Sequence, residues 1–246
     1  MAASTGVTAF STVLIWNYRE VLEVSNITGP AGSMSPIDVT SHDSENGFKE
    51  YIAGLHDGGE ISLEGNFLVG DTAGQVAFHT DTQGGTNRSG YIVAPMAAAS
   101  ALSFSALGKG FDNSFPTDAQ IGVSGSLVVT GKPTLLTSQS AGMSGLTGDE
   151  YDDTVKGSAL SISPTIAVGS YAYTCEVTDS DQDGVKLTIT AASHTIYANG
   201  DSYTSTQEGS TIALGDAGTD TVVIIVAYES SMAPRIYRLT ITRPSA

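Results

Sequence analysis

The apolar residues of this 246-residue chain recur at every second position, in short runs closed by glycine, proline or acidic residues, and few folds accept that pattern. Ile121, Val123, Leu127 and Val129 alternate with Gly122, Ser124, Ser126 and Thr130. Further on, Tyr171, Tyr173, Cys175 and Val177 share one parity, as do Val185, Leu187, Ile189 and Ala191. Successive side chains of an extended strand point to opposite faces, so a period of two predicts strands with one buried face. Val222 to Val226 is apolar at every position, which predicts a central strand covered on both sides. Strands are expected at Leu160–Ser163, Ser170–Val177, Val185–Ala192, Thr195–Ala198, Thr204–Leu214, Thr221–Tyr228 and Arg235–Thr242. Their spacing of roughly 8–12 residues is that of a β-sandwich.

The first half reads differently. Residues 1–9 are small and polar and predict an N-terminal arm. Strands are expected at Phe10–Tyr18, Val21–Ile27, Met34–Thr40, Glu60–Val69, Arg88–Ala94 and Ala99–Lys109, with a turn at Arg19-Glu20. Asp71, followed by Ala73, Val76 and Ala77, predicts one short helix with Asp71 as its N-cap. Gly131-Lys132-Pro133 ends the last strand of this half, and Thr137 to Asp153, small and acidic without clear periodicity, reads as a linker. The length accommodates two modest cores. The expected organisation is a domain over 1–144, a linker over 145–154 and a sandwich over 155–246. The expected fold class is all-β: a β-sandwich or barrel with one short flanking helix, then a second β-sandwich.

One long segment fits neither period throughout. From Asp38 to about Leu55 it is polar, with Asp38, His42, Asp43, Glu45 and Glu50 against Lys49, yet Phe48, Tyr51, Ile52 and Leu55 are embedded in it. A loop of about twenty residues is uncommon in a compact β domain, and is usually functional or disordered. The spacing of the four apolar residues predicts a helical turn or a surface that docks on a neighbouring subunit. The segment 38–56 is therefore the candidate assembly loop.

Motifs for chemistry are missing. The chain contains no Gly-x-Ser-x-Gly elbow, no Walker A loop, no Gly-x-Gly-x-x-Gly fingerprint and no His-Glu-x-x-His pair. His42, His56, His79 and His194 are scattered, and a catalytic triad needs convergent geometry rather than neighbours in sequence. No enzymatic activity and no cofactor are expected. The sharpest metal candidate is Asp179, Asp181 and Asp183 before Gly184, carboxylates at alternate positions that suit a hard cation such as Ca²⁺. An EF-hand loop would continue to a Glu where this chain has Thr190, so a tight acidic turn is the competing reading.

Cys175 is the only cysteine, which excludes an intrachain disulfide. The formal charge is −16, and each side of residue 144 carries thirteen acidic and five basic residues. No basic stripe is available to displace counterions, so sequence-specific or tight DNA binding is not expected. No apolar run approaches the length of a membrane span, and the N-terminus lacks a basic n-region, so no membrane insertion is expected.

The first 135 residues resemble the major tail tube proteins of long, non-contractile-tailed, lambda-type phages. The resemblance is carried by VLIWNYREVLEVSNITGP, by IDVTSHDSENGFKEYIAGLHDGGEISLEGNF, by GDTAGQVAFHT and by ALSFSALGKGFDNSFPTDAQIGVSGSLVVTGKP. It implies a tube-forming β-sandwich that closes hexameric rings, with the loop Asp38–Leu55 contacting the next ring. It also implies tape-measure and tail-end proteins as partners, double-stranded DNA passing through the lumen without specific binding, and a virion location after assembly in the host cytoplasm. Residues 155–244 are similar to bacterial Ig-like or cadherin-like modules through VKLTITAASHTIYANG, STIALGDAGTDTVVIIVAYE and RIYRLTITRP. Such modules decorate the outside of tail tubes, which implies host-surface contact. They also occur in bacterial surface proteins, so a bacterial adhesion module binding carbohydrate or protein is the competing reading.

Overall fold

A computed structural model describes residues 12–68, 70–94, 100–167, 171–191 and 195–245. The expected arm, Phe10, Val69, Ala99, Ser170, Ala192 and His194 lie outside the described residues. The described chain opens with β1 (Val13–Trp16) and β2 (Arg19–Val21), joined by Asn17-Tyr18. Both turn residues adopt left-handed conformations, with φ of 49° and 62°. Two-residue hairpin loops favour that geometry because it matches strand twist. The turn expected at Arg19-Glu20 is therefore displaced, and those residues are in β2. Leu22-Glu23 breaks the expected Val21–Ile27 strand, leaving β3 at Val24–Thr28.

There follow β4 (Ser33–Asp38), a short 3-10 turn (Glu45–Gly47), β5 (Tyr51–Asp57), β6 (Glu60–Asn66), α1 (Gln75–Gly84), β7 (Asn87–Val93), β8 (Ala101–Ser114) and β9 (Gly122–Val129). Next are β10 (Thr134–Leu136), β11 (Met143–Asp152), β12 (Val155–Ala159), β13 (Ala172–Glu176), β14 (Gly184–Ala191) and β15 (Thr195–Ala198). The chain ends with β16 (Asp201–Tyr203), β17 (Ile212–Ala213), β18 (Asp220–Tyr228) and β19 (Arg235–Thr242). The fold is all-β with one helix among the described residues. Contacts divide it into two units: Val21–Tyr91 with Leu102–Thr134, and the described parts of Met1–Glu20, Ile92–Ala101 and Leu135–Ala246.

In the first unit the strands follow the hydrogen-bonded order β7-β8-β9-β6-β3, while β4 and β5 form a separate two-stranded sheet. Ile61 and Leu63 of β6, with Val123, Leu127 and Val129 of β9, are buried on one side of the sheet, as their alternation predicts. Phe78 of α1 is fully buried. A Cβ on Gly125 would stand 2.9 Å from Phe78 Cε1, so this glycine is what lets the helix approach the strand. Asp71 is not the N-cap expected, a place Gly74 takes because the helix begins only at Gln75, but its carboxylate still accepts from Gly74 N at 2.9 Å and Gln75 N at 2.8 Å, and also from Leu22 N at 3.0 Å. It satisfies donors that a helix N-terminus leaves open.

The second unit contains a four-stranded sheet, β12-β11-β14-β17, and a five-stranded one, β13-β19-β18-β15-β16. Leu146, Leu187 and Ile189 of one sheet share a buried core with Val223, Ile225, Leu239 and Ile241 of the other. As expected of an apolar run, β18 is internal to its sheet, with Val223 to Ala227 buried. The segment 145–154, expected to be a linker, lies mostly in β11, which pairs with β12 on one side and β14 on the other. Its inward positions include Gly148 and Glu150, and neither registers as hydrophobic. A Cβ on Gly148 would meet Leu160 and Leu187, each at 2.9 Å. Glu150 is buried with both oxygens occupied, accepting from Thr178 N and Thr178 Oγ1, each at 2.7 Å. A buried carboxylate is tolerated only when hydrogen-bonded in this way. Two further expectations fail. Leu160–Ser163 makes only an isolated bridge, Ser163 with Thr174, and Thr204–Leu214 contains just the short β17 at its far end.

Candidate assembly surface

The segment 38–56 is neither a free loop nor a helical turn: most of it belongs to the β4–β5 hairpin. The ladder pairs Asp38 with Tyr51, Ile37 with Ile52, Pro36 with Ala53 and Met34 with His56, with a bulge between Met34 and Pro36. Gly54 sits at that bulge, where a Cβ would strike the carbonyl oxygen of Ser35. Alternation along β4 and the pairing therefore place Met34, Pro36, Tyr51, Ala53 and His56 on one face and Ile37 and Ile52 on the other.

The tip is organised by Asp38. Its Oδ1 accepts from Thr40 N at 3.0 Å and from the Thr40 hydroxyl, and these bonds hold its carboxyl below the usual carboxylate range, helped by Lys49 at 3.5 Å. The Thr40 hydroxyl in turn accepts from Glu50 N at 3.0 Å, and Val39 N donates to Glu50 O at 2.9 Å. Ser41 and Ser44 close the end through Ser44 N to Ser41 O at 3.1 Å and Ser41 N to Ser44 Oγ at 2.9 Å. His42 and Asp43 lie in this turn and are exposed. Glu45 begins the 3-10 turn, where Asn46 and Gly47 have φ of 57° and 71°. Sequence reasoning thus named residues that do converge: Asp38, Lys49, Glu50 and Tyr51 meet at one end of the hairpin.

Its apolar side chains have no cover. Leu55 is 91% exposed, Phe48 74%, and Tyr51 and Ile52 are each more than half exposed. Beside the hairpin base is a groove of about 840 Å³, with Met34, His56, Val129, Lys132 and Pro133 among its lining residues. Sequence reasoning missed this groove. The available signal was the glycines around it: a Cβ on Gly58 would stand 2.7 Å from Gly131 O, so the two turns touch backbone to backbone.

The Asp179–Asp183 turn is held by hydrogen bonds within itself and from Asp153 and Arg243. Asp179 Oδ1 accepts from Asp181 N at 3.1 Å, Asp183 Oδ1 from Asp153 N at 3.1 Å, and Arg243 donates to Ser180 O at 2.9 and 2.7 Å. The three carboxylates do not converge. Among the described residues no three His, Cys, Asp or Glu side chains are placed to hold a metal ion, and no helix is long and apolar enough to cross a membrane. Cys175 is buried in the sandwich core, and burial, with the Glu150 charge nearby, pushes its thiol up to about 11.

Residues 150–244 match the family of the cadherin-like beta sandwich domain, in agreement with the resemblance read from the sequence. Two solved structures are similar to this chain. One is described as the tail of an empty GTA particle computed with helical refinement and C6 symmetry, at 16% identity and a TM-score of 0.41 over 47% of this chain and 84% of that one. The other is described as the virion of a native gene transfer agent (GTA) particle, at 13% identity and a TM-score of 0.46 over 53% of this chain and 98% of that one. No curated protein matches the sequence.

Proposed function

We propose that this chain is the major subunit of a phage-type tail tube, assembling into stacked hexameric rings that conduct DNA, with its cadherin-like domain on the outside. The observation that carries this reading is the β4–β5 hairpin. An isolated two-stranded hairpin is marginal in water, and this one exposes apolar side chains on both faces, so it needs a neighbour to cover it. Burying Phe48 and Leu55 against a second copy would contribute about 1.5–3 kcal/mol each before ordering costs. The open edge of β3 offers backbone groups for pairing between chains, which closure into a ring would hide. A formal charge of −16 suits a conduit through which DNA slides without sticking. Ring stacking involves Asp38 to Leu55, and the tape-measure and tail-end proteins are the further partners.

The competing reading, a surface module that binds carbohydrate or protein, is favoured by the cadherin-like match over 150–244. Electron microscopy of the purified full chain separates the two. Hollow tubes with sixfold end views are expected, and monodisperse particles at every concentration overturn the tube.

A further inference from the structure

We infer that the β8–β9 turn of one copy seats in the groove at the opposite end of the same strand pair in the next copy. This contact is separate from the hairpin and rests on the tube reading. β8 and β9 run antiparallel from the pair Ala106–Val129 to the pair Ser114–Gly122, so the ladder has two distinct ends. At one end the turn Phe115–Ile121 presents Phe115, 71% exposed, with Ile121 and Leu68 exposed beside it. Asp118 stands exposed in this turn and forms no ion pair or hydrogen bond among the described residues. At the other end lies the groove of about 840 Å³, with an apolar lining of Met34, Val129 and Pro133.

The charge in that groove is unusual for this chain. Four of the five lysines have carboxylate partners: Lys49 with Asp38, Lys109 with Glu60, Lys156 with Asp149 and Lys186 with Glu208. Lys132, on the groove wall, has no ion pair among the described residues, although acidic residues outnumber basic ones 26 to 10. Asp57 also lines the groove, but its Oδ1 accepts from Gly59 N at 2.9 Å within its own turn. An apolar knob carrying Asp118 and an apolar hollow carrying Lys132 beside Asp57 therefore sit at opposite ends of one ladder, roughly 24 Å apart for an eight-residue strand. They cannot meet within one molecule. Between two copies they meet head to tail, and a heterologous contact of that kind propagates from copy to copy, closing a ring where the rotation closes and stacking openly where it does not.

The test is charge exchange in the full chain, read by sedimentation and electron microscopy. Asp118→Lys and Lys132→Glu are surface changes, so each variant should keep the thermal midpoint of the parent, yet raise the critical concentration for tube formation about tenfold, the scale of a close interfacial charge pair. The double exchange should restore assembly. Singles that assemble like the parent, or a double that stays defective, overturn the contact. A second readout joins Asp118→Cys with Lys132→Cys in one chain. Mild oxidation of its tubes should give a disulfide-linked ladder on non-reducing gels, with buried Cys175 silent, whereas monomer alone overturns the proposal. If the unaltered chain forms no tubes, it is the tube reading itself that fails.

Discussion

Tyr18 lies flat on Tyr197, with ring centroids 3.8 Å apart and planes within 4°, and meets the edge of Tyr228 at 5.4 Å. Beside this stack Arg238 approaches buried Glu20 at 3.5 Å. Tyr18 holds its left-handed φ at a cost of roughly 1–2 kcal/mol for a residue with a side chain, while its edge contact with Tyr228 contributes about 0.5–1.5 kcal/mol beyond burial. The β1–β2 turn is thus held in place by the sheet that β15 and β18 belong to, within the same unit. Tyr18→Ala should lower the thermal midpoint by roughly 2–6 °C, which corresponds to about 1–2 kcal/mol in a chain of this size. Tyr18→Phe should lower it less, since the ring remains. Equal midpoints for the alanine variant and the parent would show that the stack contributes nothing. Gly200→Ala is an independent probe, because its Cβ would strike the Arg19 side chain at a φ of 88°.

Leu55→Ser and Phe48→Ser should separate assembly from folding. Both side chains face solvent in the single chain, so the free subunit should keep its stability within about 0.5 kcal/mol. Tube formation should be lost in the double variant. Hydrogen exchange offers a second view: amides of β4 and β5 should exchange quickly in the subunit and slowly in the tube. Normal tubes from the double variant would remove the hairpin from the interface.

Burial raises the Cys175 thiol from its ordinary value of 9.0 to about 11, with the Glu150 charge adding to the effect. The folded state therefore keeps the neutral thiol while the unfolded chain ionises near pH 9. This part of the stability is fully present below pH 9 and is lost as pH rises from about 9 to about 11. A shift of two units is worth about 2–3 kcal/mol. Tyr173, Tyr203 and Tyr237 are likewise raised, chiefly by burial, and extend the loss in the same direction. Urea titrations at pH 8 and pH 10.5 should show this fall, and Cys175→Ala should flatten it. At pH 8 a thiol reagent should label the native chain far more slowly than the unfolded one.

The place where the chain is cut should matter. A fragment beginning at Gly145 loses Met143, which is buried and donates its N–H to Tyr237 Oη at 3.1 Å. A fragment beginning at Leu135 keeps it and should be more stable by about 2–4 kcal/mol, the usual cost of deleting a buried side chain. Proteases should be slow to cut 145–152, because that stretch is laddered with β14 as far as Tyr151 and with β12 from Asp149 on. Rapid cleavage there would mean that β11 opens readily.

Where strands carry branched or aromatic residues at alternate positions, as in β9, β14 and β18, the sequence was sufficient to place them. It failed at β11, because Gly148 fills a core position with no side chain and Glu150 fills another with a carboxylate satisfied by Thr178. It placed the first strand of the hairpin, expected over Met34–Thr40 and found as β4, but not the second, β5. Ile37 and Ile52 occupy one face and Met34 and Tyr51 the other, so no single-faced period exists to be read. The groove at Lys132 depends on Met34 and Val129 coming together from distant parts of the chain, and no local pattern encodes that.

The sheet that ends the chain has a mechanical consequence. β13 and β19 run parallel, in register from Ala172 with Arg238 to Glu176 with Thr242. A load entering at the start of β13 and leaving at the C-terminal end of β19 pulls the two strands past each other, so the whole ladder resists in shear. The β4–β5 ladder, pulled from Ser33 and Asp57, opens one pair at a time like a zipper. Stretched by its ends in a single-molecule experiment, the full chain should surrender the hairpin only after the β3–β6 ladder that encloses it has opened, and the sandwich in one abrupt rupture.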